Sequence, residues 1–175
     1  IRPDIGLANM GGSGDFIRRE VNRMLSRPQP EWAYTSGDQA REAQSAGRGV
    51  PYSSAITHFF DFAYRNTADS APGQVLRLAQ QIANGALPHY YFMGPIDRQQ
   101  DRKPIPAIRE TFHYFARHQD VYARSRSAAT IALYHSRKAR RSHDPSGIGD
   151  APAEAFCGAY AALLEAGLCF DEVSD

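Results

Sequence analysis

The chain has 175 residues, enough for one domain with a sizeable core, and its formal net charge is +1. A charge this close to zero gives no global field toward nucleic acid or a membrane surface, so neither is an expected partner. The 42% share of hydrophobic residues indicates a globular chain, and no apolar run approaches the roughly 20 residues of a membrane span.

Two further features concern cysteines and chain ends. Cys157 and Cys169 are too few for a disulfide scaffold, and no Cys/His cluster has metal-ligand spacing, so no metal or other cofactor is expected. The chain begins at Ile1, without an initiator Met, just before a predicted strand, and it stops as another strand ends. We therefore expect a piece of a longer protein, which leaves the compartment open, with a slight preference for the cytoplasm.

Strand and helix patterns alternate along most of the chain. Apolar residues recur at helical spacing after residue 15, Asp38 can cap a second helix, and Pro72 can open a third. The predicted elements are, in order, strand 4–9, helix 15–25, strand 32–36, a helix from 38 through 46, a strand within 53–66, a helix from 72 to the Asn-Gly pair at 84–85, strand 89–94 and a long helix after Pro106. The side chains expected to face inward from the helix that Pro72 opens are Val75, Leu76, Ala79, Ile82 and Ala83.

This alternation predicts the fold class. Four strand–helix units of about 30 residues favour parallel strands joined by helical crossovers, in a doubly wound sheet or part of a (β/α)₈ barrel. Polar residues at successive strand ends favour the barrel, with residues 1–126 forming the last four β/α units of a TIM barrel. Residues 127–175 contain a new strand–helix–strand run, which we interpret as the start of a second α/β domain.

Several common kinds of site are disfavoured. The glycines of NMGGSGD, residues 9–15, lack the Gly-Lys-Ser/Thr ending of a P-loop and the third glycine of a dinucleotide fingerprint. They fit a flexible loop at a barrel mouth, where Asn9 either hydrogen-bonds a ligand or has a structural role. No Gly-x-Ser-x-Gly elbow occurs, and the basic run at 135–144 has no interleaved aromatics, so it is interpreted as a solvated loop.

The strand ends carry the remaining candidates, since the chemistry of a barrel lies there. Polar groups beside aromatic rings suit a sugar, whose hydroxyls need hydrogen bonds while its C–H faces stack on rings. Trp32 is either such a stacking platform or a core residue. The full set of polar or aromatic candidates is Asn9, Tyr34, Ser36, His58, Asp61, Tyr64, Arg65, Tyr91, Met93 and Asp97.

His58 and Asp61 lie in SSAITHFFDFAYRN, residues 53–66, where polar groups interrupt a buried strand pattern. His58 is either a substrate contact or a core histidine bonded to the backbone. Asp61 either reaches the sugar or pairs with Arg65 to hold the loop. Glycoside hydrolysis normally needs two carboxylates, and Asp61 and Asp97 are the only plausible acids at strand ends. Asp61 is therefore the candidate catalytic residue, with the other carboxylate expected upstream of residue 1.

Four segments resemble one known family. LSRPQPEWAYTSGDQAR, SSAITHFFDFAYR, QQIANGALPHYYFMG and IRETFHYFARHQDVYA together resemble the C-terminal half of the barrel in the family called hypothetical glycosyl hydrolase 6. The segments AATIALYHS and EAFCGAYAALLEAGLCFDEVSD resemble the opening of the β-galactosidase trimerisation domain, which has a glutamine-amidotransferase-like, flavodoxin-type fold. The resemblance covers nearly the whole chain.

The resemblance implies a multidomain glycoside hydrolase that acts on a carbohydrate and assembles as a homo-oligomer through a trimer-forming module. Family-42 β-galactosidases place a nucleophilic Glu at the end of the seventh strand, where this chain offers only Asp61. An α-L-fucosidase-like barrel, whose nucleophile lies on an earlier strand, is therefore also a reasonable comparison. Two alternatives stay open: a non-catalytic carbohydrate-binding or oligomerisation protein with a degenerate barrel, and a stand-alone α/β domain of flavodoxin type.

Overall fold

The computed structural model describes residues 17–21, 33–47, 50–136 and 151–174. Its strands are β1 (Ile17–Val21), β2 (Tyr52–Thr57), β3 (Leu87–Tyr91), β4 (Ile131–His135) and β5 (Phe170–Ser174). Its α-helices are α1 (Thr35–Gly47), α2 (Ala71–Ala83), α3 (Ile105–Arg117), α4 (Gln119–Arg124) and α5 (Ala151–Glu165). The prediction of a mixed α/β fold is confirmed for this part of the chain.

The strands form two sheets, and every strand pairing in them is parallel. One sheet has the order β1-β2-β3, with Val21 opposite Ile56 and Thr57 opposite Tyr91. The other is the pair β4-β5. In sequence, α1 lies between β1 and β2, and α2 between β2 and β3, which is the βαβ arrangement that parallel neighbours require. Neither sheet closes into a barrel within the described ranges.

The largest disagreement with the sequence prediction lies near the start of the described chain. A helix was expected at 15–25, but Ile17–Val21 forms β1 and pairs with β2. The apolar spacing fits a helix, yet the segment completes the backbone hydrogen bonding along one side of β2, and tertiary pairing overrides local periodicity. The strand expected at 4–9 lies outside the described residues.

The next predicted element is also wrong where it can be compared. A strand was expected at 32–36, but residues 33–34 form a turn and Thr35 begins α1. Asp38 therefore lies inside the first turn of α1 and does not cap it from outside. A carboxylate in that position still interacts favourably with the partial positive charge of the helix N-terminus.

The hydrophobic core lies on β2 and on the helices that pack against it. All six residues of β2 are buried, as expected for a central strand of a parallel sheet. The larger core cluster consists of Ile56, Leu78, Ile82, Ile108 and Phe115. The smaller one consists of Ala40, Ala43, Tyr52 and Ala86, where small side chains let α1 approach the sheet closely.

Helix α2 begins and ends as its sequence predicts but buries a different face. Ser70 caps it by accepting from the Gly73 N–H at 3.4 Å, Pro72 lies in its first turn, and Gly85 follows it at a φ of +74°. Of the residues expected to face inward, only Ile82 is buried, whereas Leu76 is 49% exposed. The buried residues of α2 are Gln74, Arg77, Leu78, Gln81 and Ile82.

Polar bonds to the sheet explain this rotation. The side-chain amide of Gln74 donates to the His58 carbonyl at 2.9 Å, and that of Gln81 donates to the Ser54 carbonyl. Arg77 forms an ion pair with Asp69 at 2.6 Å. These bonds give α2 polar partners on β2 and its loop, so its polar side chains are buried there. Hydrophobic periodicity alone does not reveal such a face.

The later elements follow the prediction closely. The long helix after Pro106 is present as α3, with Ile108 and Phe115 buried, and α4 continues it after His118. The strand–helix–strand run after Arg126 is present as β4, α5 and β5, with Gly167 at a φ of +68° between the last two. No helix in the described residues is both long enough and apolar enough to cross a membrane.

Candidate functional site

The loops after β2 and β3 leave the same edge of the sheet because the two strands are parallel. We call residues 58–70 the β2 loop and residues 92–104 the β3 loop. Between them lies a cleft of about 200 Å³, named here the rim cleft. It is lined by Arg65, Asn66, Met93, Arg98, Gln99 and Gln100.

The β2 loop folds back on itself and so has a fixed shape. The Phe60 N–H donates to the Thr67 carbonyl at 2.9 Å, and Phe59 and Ala68 form an isolated β-bridge. The Phe59 side chain is 1% exposed and packs on Phe62, with ring centroids 5.1 Å apart. Arg65 and Asn66 therefore stand at the tip of a loop with its own small apolar core.

The β3 loop is held by a side-chain amide. The Gln99 Nε2 donates to the carbonyls of Met93 at 3.0 Å and Pro95 at 2.9 Å. Between these residues Gly94 has a φ of +86°, a backbone conformation that residues other than glycine rarely adopt. The turn and the amide together place Arg98 on the wall opposite Arg65.

His58 joins the two loops. It is 2% exposed, its Nδ1 lies 2.9 Å from the Tyr90 hydroxyl, and its Nε2 lies 2.7 Å from the Asp101 carbonyl oxygen. A carbonyl can only accept, so Nε2 carries a proton and donates it. Both ring nitrogens are thus bonded inside the protein. The ring occupies the position of a bonded core histidine, and its predicted contact with a sugar stays a prediction.

The side chain of Asp101 makes the second connection between the loops. Its carboxylate accepts from the Lys103 N–H at 3.2 Å and from the Ala68 N–H at 3.3 Å. These backbone hydrogen bonds, that of Lys103 first, lower the pKa of Asp101. We call the arrangement of His58 and Asp101 the clamp, because it holds the β2 loop against the β3 loop.

Proton positions around His58 are constrained by its neighbours. The Tyr90 hydroxyl contacts both His58 Nδ1 and Gln74 Oε1 but has only one proton to donate. With His58 neutral, one of these two acceptors lacks a proton, whereas an imidazolium would satisfy both contacts. Burial acts the other way and lowers the pKa of His58, and the Asp101 carbonyl and carboxylate oppose that effect only in part.

Asp61 begins the short 3₁₀ turn Phe62–Tyr64 and is 8% exposed. Its carbonyl accepts from the Tyr64 N–H at 2.8 Å. Within the described ranges the Arg65 side chain forms neither an ion pair nor a hydrogen bond, so the alternative of an Asp61–Arg65 pair is wrong. Asp61 follows β2 and so lies at the carboxyl edge of the sheet, where its position after the third predicted strand had placed it.

The other predicted site residues are dispersed. Tyr64 and Asp97 are exposed in the two loops, and Tyr91 is half-buried at the end of β3. Tyr34 and Ser36 are not at this edge of a strand, because they lie at the start of α1. Asn9 and Trp32 lie outside the described residues, so their predicted contacts with a sugar stay predictions.

Sequence reasoning identified Met93 and Asp97 in the β3 loop, and Met93 lines the rim cleft, but it missed the other polar residues of that loop. Arg98, Gln99 and Asp101 were not candidates, although they follow a predicted strand within ten residues and are polar. It also missed Gln74 and Tyr90, because mainly apolar or aromatic residues follow them in the sequence. The position of a polar run directly after a predicted strand was the available signal.

A second cavity, of about 270 Å³, lies between α1, α2 and α5. Arg41 donates to the Tyr160 hydroxyl at 2.5 Å, and its guanidinium lies over the Phe170 ring, 4.3 Å from the centroid. Glu172 nearby is 4% exposed, and its Oε1 has no hydrogen-bond partner in the described chain. Burial first, and then the neighbouring Asp38 carboxyl, raise the pKa of Glu172 well above its ordinary range.

No group of three or more His, Cys, Asp or Glu side chains in the described ranges could hold a metal ion. Comparisons of the chain with protein-family models, with curated proteins and with solved structures found no match.

Proposed function

We propose that this chain is part of a carbohydrate-active enzyme that hydrolyses O-glycosidic bonds, and that a sugar binds in the rim cleft. The observation that supports this most is the position of the cleft between loops that follow two adjacent parallel strands, the usual place for ligands in α/β folds. Arg65, Asn66 and Gln100 make no other side-chain hydrogen bonds in the described chain, so their donors can meet sugar hydroxyls.

We further propose that β1–β3 belong to the second half of a (β/α)₈ barrel and that residues 127–175 begin a flavodoxin-like oligomerisation domain. The sequential order β1-β2-β3 supports the first part, since consecutive strands are neighbours all around a barrel. One half of a doubly wound sheet has the same local order, so further strands of the parent protein would distinguish the two folds.

Asp61 is the proposed catalytic carboxylate. It follows the central strand at the carboxyl edge of the parallel sheet, where the catalytic groups of α/β barrels lie. The second carboxylate of a glycosidase pair would come from another part of the parent protein. His58 acts through the clamp as a positioning residue, because both of its nitrogens are already bonded.

The test combines turnover and binding. Hydrolysis of nitrophenyl glycosides by the full parent protein, which supplies the second carboxylate, and binding of the matching monosaccharides to the chain by saturation-transfer NMR should both be detectable. Asp61→Asn should lower turnover by about 100-fold or more while sugar binding persists, because it removes the acid–base group alone. Asp120→Asn, at an exposed position on α4, is the matched control and should change neither. Equal turnover by both variants would refute the role of Asp61.

The second candidate is a non-catalytic carbohydrate-binding or oligomerisation protein. It is favoured by one observation: no carboxylate is among the residues that line the rim cleft. Sugar binding without turnover on any of the glycosides would support this candidate over the enzyme. Absence of both binding and turnover would refute both proposals.

A further inference from the structure

Two arginines face the rim cleft without partners. Arg65 comes from the β2 loop and Arg98 from the β3 loop, and both are exposed. Neither side chain forms an ion pair or a hydrogen bond in the described part of the chain. Two arginines from different loops line one cleft whose lining has no acidic residue, which gives it a positive potential and indicates a site for negative charge.

The acidic residues of the same loops, Asp61, Asp69, Asp97 and Asp101, do not line the cleft. Asp69 is paired with Arg77, and the Asp101 carboxylate accepts from two backbone N–H groups. Asp97 is exposed next to Arg98 in sequence but forms no ion pair with it and does not line the cleft. The lining therefore carries two positive charges and no negative one.

The walls of the cleft are held in place before any ligand arrives. The clamp fixes the β2 loop to the β3 loop, and the amide of Gln99 fixes the turn that leads to Arg98. Because the loop backbones are already fixed, binding would order only the side chains of the two arginines, which limits the conformational entropy lost.

We infer that the rim cleft binds a sugar that carries an oxyanion, a carboxylate or a phosphate ester, and that Arg65 and Arg98 bind this group. The sugar part of this ligand rests on the proposed function, and the anionic group rests on the two arginines. Guanidinium forks match both carboxylate and phosphate geometry and form short charge-assisted hydrogen bonds with them. Asn66 and Gln100 would bind hydroxyls of the same ring.

The size of the cleft limits the ligand. Its volume of about 200 Å³ lies below the 300–1,000 Å³ typical of pockets that enclose a whole drug-sized ligand. It suits one oxyanion and part of one sugar ring. The net charge of +1 for the whole chain gives no extended field for a polyanion such as a nucleic acid.

The experiment is isothermal titration of the chain with five probes: D-glucuronate, D-glucose 6-phosphate, D-glucose, acetate and inorganic phosphate. The two anionic sugars should bind more tightly than glucose by about 10-fold or more. Raising the salt concentration should lower the affinity of the anionic sugars. Tighter binding of glucuronate than of glucose 6-phosphate identifies a carboxylate as the preferred anion, and the reverse identifies a phosphate.

Two variants and a matched control locate the site. Arg65→Gln and Arg98→Gln should each weaken binding of the anionic sugar by about 10-fold or more, while binding of glucose stays the same. Arg109→Gln, which changes an exposed arginine on α3 in the same way, should leave all affinities unchanged. Circular dichroism and thermal melting confirm that each variant is folded.

The remaining outcomes separate this inference from the proposed function. Equal affinity for glucose and glucuronate, unaffected by either arginine variant, would overturn the inference and leave the sugar proposal standing. Arginine-dependent binding of acetate or inorganic phosphate, with no gain from the attached sugar, would retain the anion site and refute the sugar. No binding of any anion would refute the inference.

Discussion

Buried polar groups differ between two regions of the molecule. They have hydrogen-bond partners at the edge of the β1–β3 sheet, and some lack them at the contact between α1, α5 and β5. At the sheet edge His58, Gln74 and the Asp69–Arg77 pair all have partners at hydrogen-bond distance. At the helix contact the Ser36 Oγ and the Glu172 Oε1 have none in the described chain. A satisfied polar network fixes the positions of its members, whereas an unsatisfied carboxyl is destabilising and titrates far from its ordinary pKa.

The largest expected effect comes from breaking the buried ion pair of the sheet edge. Arg77→Met keeps much of the side-chain volume but leaves the Asp69 carboxylate buried without its cation. We expect the free energy of unfolding to fall by about 3–5 kcal/mol, measured by urea denaturation. Arg109→Met on the exposed face of α3 is the control and should change it by less than about 0.5 kcal/mol. Similar free energies of unfolding for Arg77→Met and Arg109→Met would show that the Asp69–Arg77 pair does not stabilise the fold.

The next effect comes from the clamp. His58→Phe removes the donor to the Asp101 carbonyl and a partner of the Tyr90 hydroxyl, so the free energy of unfolding should fall by about 1–3 kcal/mol, and the Ala68 amide should exchange its hydrogen faster. His113→Phe, at an exposed position, is the control. Unchanged exchange at Ala68 would contradict the connection between the loops.

The same pair of variants tests the pH dependence of the clamp. Because burial lowers the pKa of His58 in the fold, the unfolded chain binds the proton more readily. Stability is then complete above the ordinary pKa of 6.5 and decreases as the pH falls below it. His58→Phe should lose this part of the acid dependence, and His113→Phe should retain it.

The smallest expected effect comes from Glu172, at the contact between α1, α5 and β5. Glu172 has a raised pKa, so the fold holds its proton more tightly than the unfolded chain does. Its contribution is complete below the ordinary pKa of 4.5 and is lost as the pH rises. Glu172→Gln is neutral at every pH and should raise the free energy of unfolding at pH 7 by about 1 kcal/mol or more, measured by urea denaturation. Glu110→Gln on α3 is the control; a destabilised Glu172→Gln would contradict the assignment.

The candidate site was predictable only in part. The break in apolar character after the central strand placed His58 and Asp61 at its carboxyl end, which is where they lie. The partners of His58 could not be found, since the Asp101 carbonyl is 43 residues away in sequence and any backbone carbonyl could serve. Arg98 escaped notice because an exposed arginine becomes informative only when a second one faces the same cleft.

The sequence by itself determined the elements whose signals are local. Pro72 and the Asn-Gly pair at 84–85 mark the ends of α2, and apolar spacing after Pro106 marks α3, because these signals involve residues only a few positions apart. The tertiary structure alone decided that Ile17–Val21 is a strand and that α2 buries glutamines and an arginine. Both depend on backbone groups of β2 and its loop that need partners, a demand made by distant residues that no local pattern records.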